Sequence, residues 1–193
     1  IASDDARAVA LRKRAEIVYV PIMDLDNAER GAGGKEAKPQ DHNRDWSDAP
    51  HYPEVRAAQA AIKAMADAGR FDFFVDLHNP AAGDPTFFFT TVRDSLGERG
   101  RRNHDAFFAA AKTEMTGALA FGGQTRESGP SYDPKNWQKI SKNWVARTAK
   151  DHAVALTLET AWNRPESTPE NYRRVGRELG LAIEKVLGPA FRR

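Results

Sequence analysis

Residues 71–78 read Phe71-Asp72-Phe73-Phe74-Val75-Asp76-Leu77-His78 and are closed by Asn79-Pro80. The run is too short for a helix, rich in aromatic and branched residues, and bounded by a turn signal, which predicts a buried strand. Ala153-Val154-Ala155-Leu156-Thr157-Leu158-Glu159 has the same character and also ends on a polar group. Buried strands of this near-continuous apolar kind belong to parallel sheets covered by helices on both faces. Polar side chains at their carboxyl ends lie where open α/β sheets gather ligands.

Working outward, Ile17-Val18-Tyr19-Val20-Pro21-Ile22 predicts another buried strand and Thr86–Thr91, with three consecutive phenylalanines, a further one. Helices are expected from the Ser3-Asp4-Asp5 cap to about Arg14, from Pro53 to Gly69 with Val55, Ala58, Ile62 and Met65 at helical spacing, and over 94–115. Two more should run from Ser141 to Lys150 and from the Thr168-Pro169-Glu170 start to Leu187. Residues 24–52 and 122–136, rich in glycine and proline, read as irregular connections. The expectation is one α/β domain over residues 1–193, a mixed and mostly parallel sheet flanked by helices.

Charge and composition narrow the function classes. The 29 basic and 27 acidic residues are interspersed, without the basic blocks that follow a phosphate backbone, so nucleic acid is not expected as a partner. No stretch reaches the roughly 18 apolar residues of a membrane span. With no cysteine in the chain, any metal must sit on histidine and carboxylates.

Two predicted strands thus present His78 and Glu159 at their ends. A neutral imidazole is a common zinc ligand, and a glutamate beside an activated water can accept its proton. Each has a plainer reading, His78 as a satisfied structural histidine and Glu159 as an ion-pair or capping partner. In the long connection, Asp41-His42-Asn43-Arg44-Asp45-Trp46 places an amide beside a guanidinium. Arginine offers a planar fork of donors that fits a carboxylate, and asparagine adds another donor.

Asn43-Arg44-Asp45-Trp46, then Asp76-Leu77-His78 35 residues on from Asn43, then Thr157-Leu158-Glu159, together resemble the zinc carboxypeptidase family, carboxypeptidase A-like. Tyr52-Pro53-Glu54 adds to the likeness, which covers about Ile17 to Leu187. The resemblance implies a zinc-dependent hydrolase that removes C-terminal residues from peptides. His78 would be a zinc ligand, Glu159 the general base, and Asn43 with Arg44 the clamp on the substrate's carboxylate. Tyr132 would cap the substrate and Asp76 orient a neighbour. The partner is a peptide or small amide with a free carboxylate. An N-acyl amino acid deacylase on the same scaffold and a non-catalytic peptide C-terminus-binding protein are the alternatives.

The family takes two further zinc ligands from a His-x-x-Glu motif upstream of the Asn-Arg pair, and the chain is expected to be a catalytic domain incomplete at its N-terminus. The string His51-Tyr52-Pro53-Glu54 falls after the pair and is read as a coincidence. The family's oxyanion-stabilising arginine has no counterpart at the expected place, where Lys35 and Lys38 stand instead.

Overall fold

The computed structural model describes residues 3–188 and 191. Six α-helices, α1 (Ala6–Arg14), α2 (Leu25–Arg30), α3 (Pro53–Asp67), α4 (Glu98–Glu114), α5 (Ser141–Thr148) and α6 (Pro169–Val186), accompany four strands, β1 (Phe73–His78), β2 (Thr86–Thr90), β3 (Phe121–Glu127) and β4 (Val154–Glu159). The sheet order is β1-β4-β2-β3. β1 pairs with β4 and β2 with β3 in parallel, while β2 runs antiparallel to β4. This is the mixed, mostly parallel sheet that the strand composition implies.

Strand alternation sorts the core into two layers. Val154, Leu156 and Leu158 of β4 and Phe88 of β2 point to one face, where Phe107 of α4 and Val175 and Leu179 of α6 cover them. Ala155 and Phe74 point to the other face, against Val55 and Ile62 of α3, Trp144 and Val145 of α5, and Trp46. The same alternation sends Asp76 and His78 of β1, and Thr157 and Glu159 of β4, toward this second layer, beyond the end of its apolar packing. The helices therefore fill the sheet's length and leave its carboxyl end lined by polar groups.

The structure corrects four expectations. Ile17–Ile22 is not a strand; it carries no assigned secondary structure, and Val18 and Tyr19 are 59% and 64% exposed. An apolar run becomes a strand only where a neighbouring edge supplies hydrogen-bond partners, and among the described residues none pairs with it. β3 lies inside the glycine-rich stretch read as loop, because the β2 edge satisfies its backbone whatever its side chains. The first helix is capped by Asp5, whose side chain accepts the Arg7 N–H at 2.9 Å, and not by Ser3. The connection over 24–52 contains α2 and short 3-10 turns, one of them His42–Arg44.

Candidate active site

β1 and β4 end together, with His78 directly opposite Glu159 in their parallel register. The antiparallel neighbour places Phe87 of β2 on the other side of Glu159. Two residues 81 positions apart in sequence are thus side by side because their strands are adjacent and in register.

A closed set of contacts fixes His78. Its Nε2 lies 3.1 Å from Asp76 Oδ2, and Asp76 Oδ2 also accepts the Ser141 hydroxyl at 2.6 Å. The Ser141 backbone N–H donates to Asn43 Oδ1 at 2.8 Å, and Asn43 Nδ2 stands 3.3 Å from His78 Nε2. A ring nitrogen that donates to Asp76 has no lone pair left for Asn43. The Asn43 amide N–H groups are therefore directed at the site without a committed acceptor there among the described residues, and the second ring nitrogen of His78 is the one a neutral imidazole offers as a ligand. Burial opposes charge on both partners, but the His78 imidazolium and its hydrogen bond, with Ser141 and Lys142, hold the Asp76 carboxyl below its usual range. Against the same burial cost, the charge of Asp76 and its hydrogen bond, with Glu159 and Asp41, raise the His78 pKa.

Glu159 is only 7% exposed, and its Oε2 is buried without a hydrogen-bond partner among the described residues. Burial raises its pKa, and the Asp76 charge adds to that; His78 and Arg126 pull the other way. Arg126 lies with its guanidinium carbon 3.9 Å from the Phe87 ring centroid and is paired in two places with Asp84, at 2.9 and 3.0 Å. A buried carboxylate with a free oxygen and an elevated pKa has the properties of a proton acceptor waiting for a substrate or a water.

Arg44 is half-buried in the 3-10 turn that Asp41 caps by accepting the Asn43 N–H at 2.7 Å. Its Nε donates to Asp133 Oδ2 at 2.9 Å and its Nη1 to the Asn43 carbonyl at 2.9 Å. Tyr132 is the neighbour of Asp133, 48% exposed, with its ring 5.1 Å from that of Phe89. The structure therefore brings Asn43, His78 and Glu159 to one end of the sheet and links Tyr132 to Arg44 through Asp133.

Asp133 is one contributor that the sequence reading missed; its position beside Tyr132 was the available signal. Lys142 is another: its amine is buried beside Ser128 Oγ and 2.9 Å from Asn143 Oδ1, although a lysine in a short amphipathic helix reads as solvated. Lys35 and Lys38 are exposed. His42 is buried between Asp24 and Glu54, its Nε2 2.6 Å from Glu54 Oε1, and it stacks on Tyr52. The His51-to-Glu54 string is thus divided, with Glu54 turned to a different histidine. His104 and His152 are buried against backbone and Asp72.

The fit to a metal is partial. His78 is oriented by a carboxylate as metal-ligating histidines commonly are, but among the described residues no three His, Cys, Asp or Glu side chains are grouped to hold an ion. A catalytic zinc takes three protein ligands, so these residues do not by themselves make a zinc site.

No protein-family model and no curated protein matches the chain. Solved structures do. A metallo-carboxypeptidase from Pseudomonas aeruginosa, in complex with (2-guanidinoethylmercapto)succinic acid, superposes with a TM-score of 0.70 at 24% identity, over 96% of this chain and 48% of that one. A metallo-carboxypeptidase from Burkholderia cenocepacia gives 0.62 at 22%, over 87% of this chain and 43% of the other. The chain spans less than half the length of each. At these identities the likeness is one of fold, and this chain has the fold of the corresponding part of these metallo-carboxypeptidases.

Proposed function

We propose that this chain provides the carboxylate-recognising and proton-accepting part of a metallocarboxypeptidase-type hydrolase, acting on C-terminal peptide bonds. The observation that carries the reading is the convergence of an unpartnered, buried Glu159 oxygen with an oriented His78 and the Asn43 amide at one sheet end. Arg44 and Asn43 bind the terminal carboxylate of the substrate, Arg44 exchanging Asp133 for it. Asp133 pairs with the guanidinium as a carboxylate, which supports this choice of anion. Glu159 then takes the proton from the attacking water and can return it to the departing amine. His78 is one metal ligand in this reading, with zinc as the expected ion and the remaining ligands supplied from outside the described residues. The succinic acid compound bound by the Pseudomonas enzyme is a carboxylate, as a C-terminus-directed site requires.

The test is release of C-terminal residues from peptides by the full-length native protein with zinc supplied, followed by mass spectrometry, beside Glu159→Gln. Hydrolysis that disappears in Glu159→Gln while metal content is kept supports the reading. Peptides left intact while N-acyl amino acids are cleaved would move the assignment to a deacylase. Binding of peptide C-termini without cleavage of either would leave only the recognition part.

A further inference from the structure

Lys142 opens α5 in the same turn as Ser141, the residue that joins Asn43 to Asp76. Its relative exposure is 0%, yet among the described residues its amine has only neutral oxygens as hydrogen-bond partners, Ser128 Oγ and Asn143 Oδ1. Among the described residues it forms no ion pair with a carboxylate, although Asp76 and Glu159 are near enough to favour its charge and Arg44 near enough to oppose it. Asn143 is committed elsewhere as well, donating to the Ser128 and Trp137 carbonyls at 2.7 and 2.6 Å. It orients the amine without neutralising it.

A methionine would fill this volume with no desolvation cost, whereas a buried ammonium without a counter-ion is expensive. Such a group is best satisfied by an anion that arrives from outside. The position fits that role. The amine lies 5.9 Å from the centroid of Phe89, whose ring meets that of Tyr132. Tyr132 in turn precedes Asp133, the carboxylate on Arg44. Two cations, Arg44 and Lys142, are therefore both tied to the segment that carries Tyr132 and Asp133, near enough to repel one another. Lysine carries its charge on a flexible stem with three rotatable donors, so it can exchange a hydroxyl for a carboxylate.

We infer that Lys142 selects the substrate: it receives a second carboxylate, the side chain of an acidic terminal residue, while Arg44 and Asn43 hold the terminal carboxylate. The inference rests on the carboxylate-clamp reading above and adds the substrate class, peptides ending in Asp or Glu. Burial together with Arg44 leaves the free amine with a pKa of about 7, against the pull of Asp76 and Glu159. A bound carboxylate raises it again, so an acidic ligand must bring a proton with it.

Calorimetric titration of the full-length native protein with N-acetylglutamate, N-acetylglutamine and N-acetylalanine tests this. We expect N-acetylglutamate to bind about tenfold more tightly than N-acetylglutamine, the worth of one charge-assisted hydrogen bond, and the ratio to fall to near one in Lys142→Met. Should Lys142→Met not fold, the unaltered protein still decides. Titrations above pH 7 in buffers of different ionisation enthalpy should show proton uptake with N-acetylglutamate and not with N-acetylglutamine. Equal affinities for the glutamate and glutamine ligands, with N-acetylalanine also bound, overturn the Lys142 inference and leave the clamp intact. Absence of binding by all three overturns both.

Discussion

The guanidinium of Arg44 is held by the carboxylate of Asp133, Nε to Oδ2 at 2.9 Å, across 89 residues of sequence. Burial alone would raise the Asp133 pKa, but backbone donors from Asn136 and Lys135 and the Arg44 guanidinium bring it below its ordinary value. The aspartate is therefore ionised at neutral pH and competes with any carboxylate that Arg44 is to bind.

Removing that competitor should tighten ligand binding. Asp133→Asn is expected to improve the affinity for N-acetylalanine by roughly two- to fivefold, the usual worth of a partly exposed ion pair. Arg44→Met should weaken it by more than about tenfold, because a charge-assisted fork is lost. Isothermal titration reads both. Unchanged affinity in Arg44→Met would remove Arg44 from the binding site.

Asn43 caps α5 from a distance. Ile140, at the N-cap position, gives that helix no side-chain cap, and the Ser141 N–H is taken by Asn43 Oδ1 instead. Asn43→Ala should cost about 1 kcal/mol, as for a lost helix cap. Urea denaturation would show this as a lower midpoint with an unchanged slope.

Glu159 stores instability at neutral pH. Its folded pKa is raised by burial, so the fold favours the protonated form, and the penalty appears as pH rises through the folded value. Glu159→Gln is expected to be the more stable protein at pH 7, by an amount on the order of the 1–3 kcal/mol of an unsatisfied buried group. The advantage should vanish below about pH 4, where both side chains are neutral. Thermal melts at the two pH values check it, and a gain equal at both would show that ionisation is not the cause.

Lys142 makes the opposite contribution on the alkaline side. Its folded pKa of about 7 lies below the ordinary lysine value of 10.5, so the unfolded chain binds the extra proton between those values and stability rises with pH across that window. Lys142→Met should remove this slope, which can be followed by denaturation between pH 7 and pH 10.

The core under the site is a separate matter of packing. Phe88 is fully buried between Phe107, Phe108 and Phe121. Phe88→Ala should cost about 3–5 kcal/mol, as for other aromatic truncations in cores. A loss under 1 kcal/mol would mean that the cluster is not packed as described.

By itself the sequence determined the parts whose signal is local. The apolar runs 71–78 and 153–159 announced two strands, and their polar last residues announced where chemistry could sit. Asn43 and Arg44 were legible because their chemistry is adjacent in the chain. Only the tertiary structure decided what those parts meet. Periodicity reports which face of a segment is apolar, and says nothing of which distant edge will satisfy its backbone. Hence Ile17–Ile22, as apolar as a core strand, pairs with no strand among the described residues, while the glycine-bearing residues 121–127 become β3 on the edge of β2. The same reason places His78 beside Glu159, Asp133 on Arg44 and Lys142 in the interior: each is set by the packing of segments far apart in the chain.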